Sequence, residues 1–596
     1  MALTVPANDP GLRPVSGTPA RPALPPAAPL TVPVTSATTS DSRRVAAKSG
    51  LASTLVPLYG GLRDMIRPGL SGRLRSSLTP LVDTFIRADA KLTGEHLTQL
   101  ASRTSAGNPD PTASARIRDF ADPLDPAVVA MVRRPAALSK LLTAGDLASL
   151  QRRVDLANSP KAQRQFAKAV AKASGNTPLV AGNTFSYHLD GKAAYDEVHR
   201  QIRGATQTLD LEYYEFHDDK DGWSFARELV DRVQHGVTVN VLLDEMHARQ
   251  HQPIIDYLNA HGVTAKRFNN GHPVVTIGSF EGTLKPWDTT DHRKLLLVDG
   301  KSGMVGGMNL GTPYTRWHDS MTSVAGPIVK GMYAEFAQNW QVSGGKPPMR
   351  SLALAATQAV PVAGEGMLAS LAVTRPNQEH YFGGIKAAIA QATDHIFLNM
   401  PYFCDPDLID ALSAAADRGV RVEVAIPNFA DSAVFDTLHR AQVNHLLDHH
   451  IMVRFSESRS VAGVQQSADN RPFAHVKAIT IDGIFSAVGS TNADGRSMHR
   501  NQELSVFVTS PGFALDLERR LFQHDIATGR SVPTGRQTLT GALAPDFAKD
   551  HPSIDTAVNG VITVGEQKWG QLAPASLKQG AKNAADTMLR FVGRKL

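Results

Sequence analysis

Two stretches of this chain carry the same residues at the same intervals, and those residues are ones that handle phosphate. DHRKLLLVDGKSGMVGGMN begins at Asp291 and AHVKAITIDGIFSAVGSTN begins at Ala474. Each runs His, one residue, Lys, four residues, Asp, six residues, Gly-Gly or Gly-Ser, one residue, Asn. The first copy supplies His292, Lys294, Asp299, Gly306, Gly307 and Asn309. The second supplies His475, Lys477, Asp482, Gly489, Ser490 and Asn492, each 183 residues after its counterpart. A neutral imidazole beside an ammonium, with amide donors close by, suits an anion and above all a phosphoryl group. Both runs read as short strands ended by an Asp-Gly turn. On a strand, residues two apart share a face, so His292 projects with Lys294 and His475 with Lys477. Two such faces brought together set two His, two Lys and two Asn around one phosphorus.

The doubled skeleton resembles the phospholipase D superfamily, whose signature is a repeated HKD motif trailed by Gly-Ser-x-Asn. Within it the chain is most similar to bacterial cardiolipin synthases, through PLVAGNTFSYHLDG (178–191), RWHDS (316–320), PYFCDPDLIDAL (401–412) and GSTNADGRSMHRNQE (489–503). The likeness covers roughly residues 177 to 530, and Gly307 departs from it by standing where the pattern has Ser, removing one hydroxyl contact. It implies an α/β fold: two phospholipase D-like α/β sandwich halves related by a pseudo-two-fold axis, with an N-terminal helical extension and one active site between the halves.

The resemblance also implies roles. His292, Lys294, Asp299, His475, Lys477 and Asp482 form the catalytic set, although the two aspartates, at strand ends, are expected to act structurally. One His attacks a phosphodiester to form a phosphohistidine, and the other is the acid and base for the departing and arriving alcohol. The resemblance favours His292 as nucleophile. Lys294, Lys477, Asn309 and Asn492, with Gly307 and Ser490, are expected to hold the substrate phosphate. A reacting imidazole needs its other nitrogen fixed by an acceptor. Asp319, 27 residues after His292, and Glu503, 28 after His475, stand at nearly matching positions for that task. No metal and no cofactor are expected.

The elements that must position these residues can be read around them. Helix AAYDEVHRQIRGA, strand LDLEYYEF, helix SFARELVDRVQHG and strand VTVNVLLD lead to the first motif; GGIKAAIAQA, HIFLNMPYF, LIDALSAAADRG and VRVEVAIP lead to the second. Such alternation reads as a mostly parallel, layered sheet. The halves are placed at 177–345 and 346–530. At 596 residues the chain exceeds one core. Its 42% hydrophobic and 20% charged residues are a globular composition.

Residues 1–50, with nine prolines before position 34, read as a disordered leader. A signal for a specialised bacterial secretion system would share that composition, and no ordinary secretory signal is visible. Residues 51–176 read as helical; in SPKAQRQFAKAVAKASG, Ser159 is the N-cap, Pro160 opens the first turn and Gly175 stops the helix. Residues 1–176 hold 23 Lys and Arg against 12 Asp and Glu, while the whole chain is +6. The excess, at Arg133, Arg134, Lys140, Arg152, Arg153, Lys161, Arg164, Lys168 and Lys172, would suit an anionic membrane surface; nucleic acid would be served by the same charge. LRDMIRPGLSGRLRSSLTPLV from Leu62 has the mix of an interfacial helix.

No uninterrupted apolar run reaches the roughly 18 residues of a membrane span. That leaves a cytoplasmic or peripheral membrane placement. Cys404 is the one cysteine, so no internal disulfide forms. HDDKDGWSFARE places Asp219, Asp221, Gly222 and Glu228 at calcium-loop positions, but His217 takes position one and a strand precedes it, so a polar loop is expected. Residues 531–596 form a C-terminal extension with one helical stretch from Ala575. The substrate implied is a glycerophospholipid, with nuclease activity on the same core as the alternative and a site completed within one chain.

Overall fold

In the computed structural model, both motifs fold back on themselves at their Asp-Gly pairs. φ is positive at Asp299 (51°) and Gly300 (72°), and again at Asp482 (54°) and Gly483 (67°). Two successive positive φ values make the turn whose twist matches a β-hairpin. The structure describes residues 92–104, 109–269, 274–277, 280–283, 289–364, 366–427, 430, 433–456, 473–522 and 530–531. The proline-rich leader, the Arg-rich run from Leu62 and the stretch from Ala575 lie outside the described residues.

The first half contributes β1 (Val180–Leu189), β2 (Thr208–Tyr213), β3 (Thr238–Asp244), β4 (Thr264–Phe268), a separate hairpin of β5 (Val274–Ile277) and β6 (Phe280–Thr283), β7 (Lys294–Val298), β8 (Ser302–Gly306) and β9 (Ser320–Ala325). The second contributes β10 (Met367–Arg375), β11 (Gln378–Glu379), β12 (His395–Asn399), β13 (Arg421–Pro427), β14 (Met452–Ser456), β15 (Ala478–Ile481), β16 (Phe485–Gly489), β17 (Glu503–Thr509) and β18 (Arg530–Ser531). Across the first half the order is β4-β3-β2-β7-β8-β9-β1, and across the second β14-β13-β12-β15-β16-β17-β10. The same order twice is the pseudo-two-fold repeat. Antiparallel pairing of β1 with β10, Val180 opposite Ala369, joins the two into one sheet.

The sheet corrects the expectation of mostly parallel strands. Among the described strands, parallel pairing is confined to β2–β3–β4 and β12–β13–β14. The motif strands sit in hairpins instead, β7 with β8 and β15 with β16, because a tight Asp-Gly turn can only return the chain antiparallel. Helices pack on the outer strands of each half, and a third core runs between the halves, from Phe185, Leu295 and Phe336 to Val488, Val506 and Phe513.

From residue 92 the extension is helical. Its last helix, Pro160–Ala173, is capped by Ser159, whose side chain accepts from Ala162 N–H, and Gly175 follows at φ 71°. Phe166, Ala167, Val170 and Ala171 are buried, with the Phe166 ring 5.4 Å from Phe485 of β16. Lys161, Arg164, Lys168 and Lys172 are exposed. Arg153 does not belong to the predicted basic surface, and Arg152, though exposed, is engaged in an ion pair. Arg153 is buried and donates to Arg118 O, and Arg152 pairs with Asp394 at 3.1 Å. Arg152 fastens the extension to the second half, as does Arg421 on Asp119 at 2.9 Å, while Arg153 ties two helices of the extension together.

Behind that contact His395, 1% exposed, lies between Asp394 and Glu518, each 2.9 Å from a ring nitrogen. Burial opposes its charge, but the two carboxylates prevail and raise its pKa to about 9. The stabilisation from this imidazolium is complete below the unfolded value of about 6.5 and is lost as pH rises through about 9. His395→Gln should cost about 3 kcal/mol near neutral pH, since it removes the cation that two buried carboxylates share. The gap to wild type in urea midpoint should narrow as pH rises to about 9.5. A gap independent of pH would contradict a charged His395.

Candidate active site

His292 and His475 sit just before β7 and β15, in segments that cross to the other half. His292 N–H donates to Gln502 O at 3.0 Å and Gln502 N–H to Thr290 O at 2.8 Å. The repeat does the same: His475 N–H donates to His318 O at 2.8 Å and His318 N–H to Phe473 O at 2.9 Å. Each histidine is thus stitched beside the carboxylate-bearing segment of the opposite half.

The side chains follow that crossing. His292 Nδ1 lies 2.9 Å from Glu503 Oε1, and His475 Nδ1 lies 2.7 Å from Asp319 Oδ2. The matching spacing in sequence suggests pairing within each half; the structure exchanges the partners. In both cases the carboxylate takes Nδ1–H and leaves Nε2 for chemistry. Glu503 is itself held by the hydroxyls of Ser490 (2.5 Å) and Ser497 (2.7 Å).

The lysines complete a buried cationic floor. Lys294 is 0% exposed; its Nζ donates to His292 O at 2.7 Å and lies 4.8 Å from the Tyr214 ring centre. Lys477 Nζ is 3.0 Å from His475 O and from both ring nitrogens of His475. Burial and then Lys477 drive the His475 pKa down to about 3, and burial with Lys294 and Lys477 keeps His292 well below its ordinary value. Both imidazoles are therefore neutral at pH 7. Burial outweighs Glu503 to bring Lys294 down to about 7, and it pushes Glu503 up to about 7 against Lys294. Burial thus works against the charged form of both groups, and each titrates near neutral pH.

Asp299 and Asp482, named with the catalytic set, are placed elsewhere. Asp299 accepts from the backbone of Thr206, Gln207 and Thr208 and from the Thr206 hydroxyl. Asp482 does the same with Thr393, Asp394 and His395. Both carboxylates are spent tying the hairpin turn to the start of β2 or β12.

Gly307 and Ser490, expected to touch phosphate, also serve the scaffold. Their N–H groups donate to Ser320 O and Leu504 O within the sheet. A Cβ on Gly307 would come within 2.3 Å of Asp319 Oδ1. The Gly-Gly departure is thus the space that the Asp319 carboxylate needs, while Ser490 reaches the Glu503 carboxylate instead. Asn309 Oδ1 accepts from Glu215 N–H at 3.3 Å, which leaves its amide N–H groups to donate. Asn492 Oδ1 is buried with no partner among the described residues.

Sequence reading missed the walls of the cleft. Tyr214 packs 4.8 Å from His292; Trp317 at 4.9 Å, Phe473 at 5.2 Å and Tyr402 at 6.0 Å surround His475. The runs EYYEF and PYF at the ends of β2 and β12 signalled Tyr214 and Tyr402, and RWHDS carried Trp317. In the disfavoured calcium loop, Asp219 caps the helix Lys220–Gln234 and also accepts from Thr312 N–H, while Glu228 pairs with His199 and Arg203. Among the described residues no group of three or more His, Cys, Asp or Glu is arranged to hold a metal ion.

Residues 198–340 and 385–526 match the family model described as cardiolipin synthase, PLD-like domain. The chain is 27% identical over 386 residues to cardiolipin synthase A of Pseudomonas fluorescens (strain SBW25), covering 62% of this chain and 74% of that protein. It is 27% identical over 358 residues to a cardiolipin synthase of Halalkalibacterium halodurans, covering 58% and 66%. Among solved structures it is similar to phosphatidylserine synthase from Haemophilus influenzae Rd KW20, at 13% identity and a TM-score of 0.46, covering 72% of this chain and 100% of that one.

Anion binding should report the lysine. Dimethyl phosphate stays monoanionic near neutrality, so any pH dependence belongs to the protein. Its affinity, measured by calorimetry, should fall by up to about tenfold per pH unit above about pH 7, as Lys294 loses its proton and Glu503 gains charge. The slope should be shallower in Lys294→Met. A wild-type affinity that is flat with pH would contradict this.

Proposed function

We propose, on the premise that this chain belongs to the phospholipase D superfamily through its two PLD-like domains, that it transfers phosphatidyl groups of glycerophospholipids by way of a phosphohistidine. The observation that carries this reading is the pair of neutral imidazoles, each fixed at Nδ1 by a carboxylate from the opposite half, over two buried lysines.

His292 Nε2 attacks phosphorus, the P–N bond forms, and the P–O bond to the head-group alcohol breaks. His475 Nε2 gives its proton to the departing oxygen. The bound phosphodiester's charge raises the otherwise low affinity of His475 for that proton. In the second step an acceptor O–H loses its proton to His475, its oxygen attacks phosphorus, and the P–N bond breaks. Lys294, Lys477, Asn309 and Asn492 stabilise the charge on the phosphoryl oxygens.

The names of the relatives favour phosphatidylglycerol as both donor and acceptor, which yields cardiolipin; water as acceptor yields phosphatidic acid. Among the described residues no helix is long and apolar enough to cross a membrane. The exposed Lys161, Arg164, Lys168 and Lys172 support a peripheral contact with anionic lipid, each near-surface cation adding about 1 kcal/mol.

Purified protein with phosphatidylglycerol should produce cardiolipin or phosphatidic acid. His292→Ala and His475→Ala should each lower turnover by at least about a thousandfold. In His475→Asn a phosphatidyl adduct should accumulate on the peptide carrying His292. An adduct on His475 in the reciprocal variant would exchange the roles, and cleavage of single-stranded DNA without lipid turnover would overturn the lipid assignment. Gly307→Ser should lower turnover about tenfold or more, because its side chain displaces the carboxylate that orients His475. Unimpaired turnover would remove that role from Asp319.

A further inference from the structure

The repeat that builds the site is broken at one position on its rim. Leu310 N–H donates to Glu215 O, and Ala493 N–H, 183 residues later, donates to Tyr402 O. Glu215 and Tyr402 are therefore equivalent by the pseudo-two-fold, a carboxylate in one half and a phenol in the other. Around Tyr402 the wall is aromatic, with Phe435 at 4.3 Å and Phe473 at 6.1 Å. Around Glu215 it is polar. Oε2 accepts from the Tyr314 hydroxyl and from His217 Nε2 at 2.9 Å, and Oε1 has His247 Nδ1 at 3.4 Å. These groups are within reach of a ligand: Glu215 is 16% exposed, His217 22% and His247 21%.

This polar pocket adjoins both reacting histidines. The His247 ring is 4.3 Å from Tyr214, which is 4.8 Å from His292. The Tyr314 ring is 4.8 Å from Trp317, which is 4.9 Å from His475. Glu215 also shares its backbone N–H with Asn309 Oδ1. Glu215 thus lines the same cleft as the reacting histidines, separated from His292 by the His247 and Tyr214 rings and from His475 by those of Tyr314 and Trp317.

We infer that Glu215, with His217 and His247, is the specificity-determining subsite for an acceptor alcohol that carries a second hydroxyl next to the reacting one. A hydroxyl both donates and accepts, matching a carboxylate oxygen flanked by an imidazole. An ammonium only donates, so it meets the carboxylate but has nothing with which to accept an N–H from the flanking imidazole. Among the described residues the equivalent position of the second half is the phenol Tyr402 among aromatic rings rather than a carboxylate among imidazoles, so the two halves present different groups there. The assignment rests on the phosphatidyl-transfer reading.

The test uses partitioning of one intermediate, so it is independent of how much protein is active. Wild-type protein, Glu215→Gln and Glu215→Leu are each given phosphatidylglycerol in detergent micelles with equimolar 1-propanol, 1,2-propanediol and ethanolamine. The phosphatidyl alcohols are counted by mass spectrometry. Wild type should favour the diol over propanol, and both variants should lower that ratio about tenfold, the worth of one charge-assisted hydrogen bond. Gln keeps the shape of Glu, so it reports even where Leu fails to fold. An unchanged ratio in Glu215→Gln, a wild type that prefers ethanolamine, or a wild type that transfers only to water overturns the assignment. Wild-type protein that turns over no phospholipid at all sinks the transfer reading and this subsite with it.

Discussion

The whole site depends on each histidine being held by a carboxylate that its own half does not supply. Glu503 fixes His292 and Asp319 fixes His475, so neither half alone has an imidazole with a defined tautomer. The proposed transfer needs a nucleophile and an acid on opposite sides of one phosphorus, and the exchange of carboxylates ties each imidazole to the other half. Bringing either imidazole to its partner also brings the two motifs together. The backbone repeats the exchange at His292–Gln502 and His475–His318, so the crossing is built at two levels.

Such a crossing needs a scaffold that does not yield. The continuous sheet provides it, since β1–β10 pairing and the apolar core from Phe185 to Phe513 lock the halves in one relation. The motif aspartates act in the same service. Each collects four donors and ties its hairpin to the neighbouring strand, which fixes where the histidine ahead of it emerges. Within that frame local departures from symmetry become legible as adjustments. Gly307 makes room for Asp319, whereas Ser490 reaches out to the longer Glu503.

Burial then sets the electrostatics. Two lysines and two imidazoles are packed into one floor, and the structure resolves the conflict by keeping the imidazoles neutral and lowering Lys294 to about 7. The same principle has the opposite outcome behind the extension, where two carboxylates keep His395 charged. What a buried histidine does is decided by its neighbours rather than by burial alone.

Much of this was legible along the chain. The doubled spacing announced the repeat and the Asp-Gly turns, and Ser159, Pro160 and Gly175 marked a helix that formed as read. These are local features, written in consecutive residues and fixed by backbone sterics and side-chain reach. What tertiary structure alone decided concerns residues far apart in sequence. Equal spacing to Asp319 and Glu503 says nothing about which half each carboxylate enters. The strand directions followed from hairpin closure, and Arg153 left the basic surface because its guanidinium turns inward to the Arg118 carbonyl. Glu215 looked like one more polar residue at a strand end until the pseudo-two-fold set it opposite Tyr402. Spacing repeats can mark which residues are equivalent, but partner choice across an interface is a matter of three-dimensional distance, which one-dimensional periodicity does not carry.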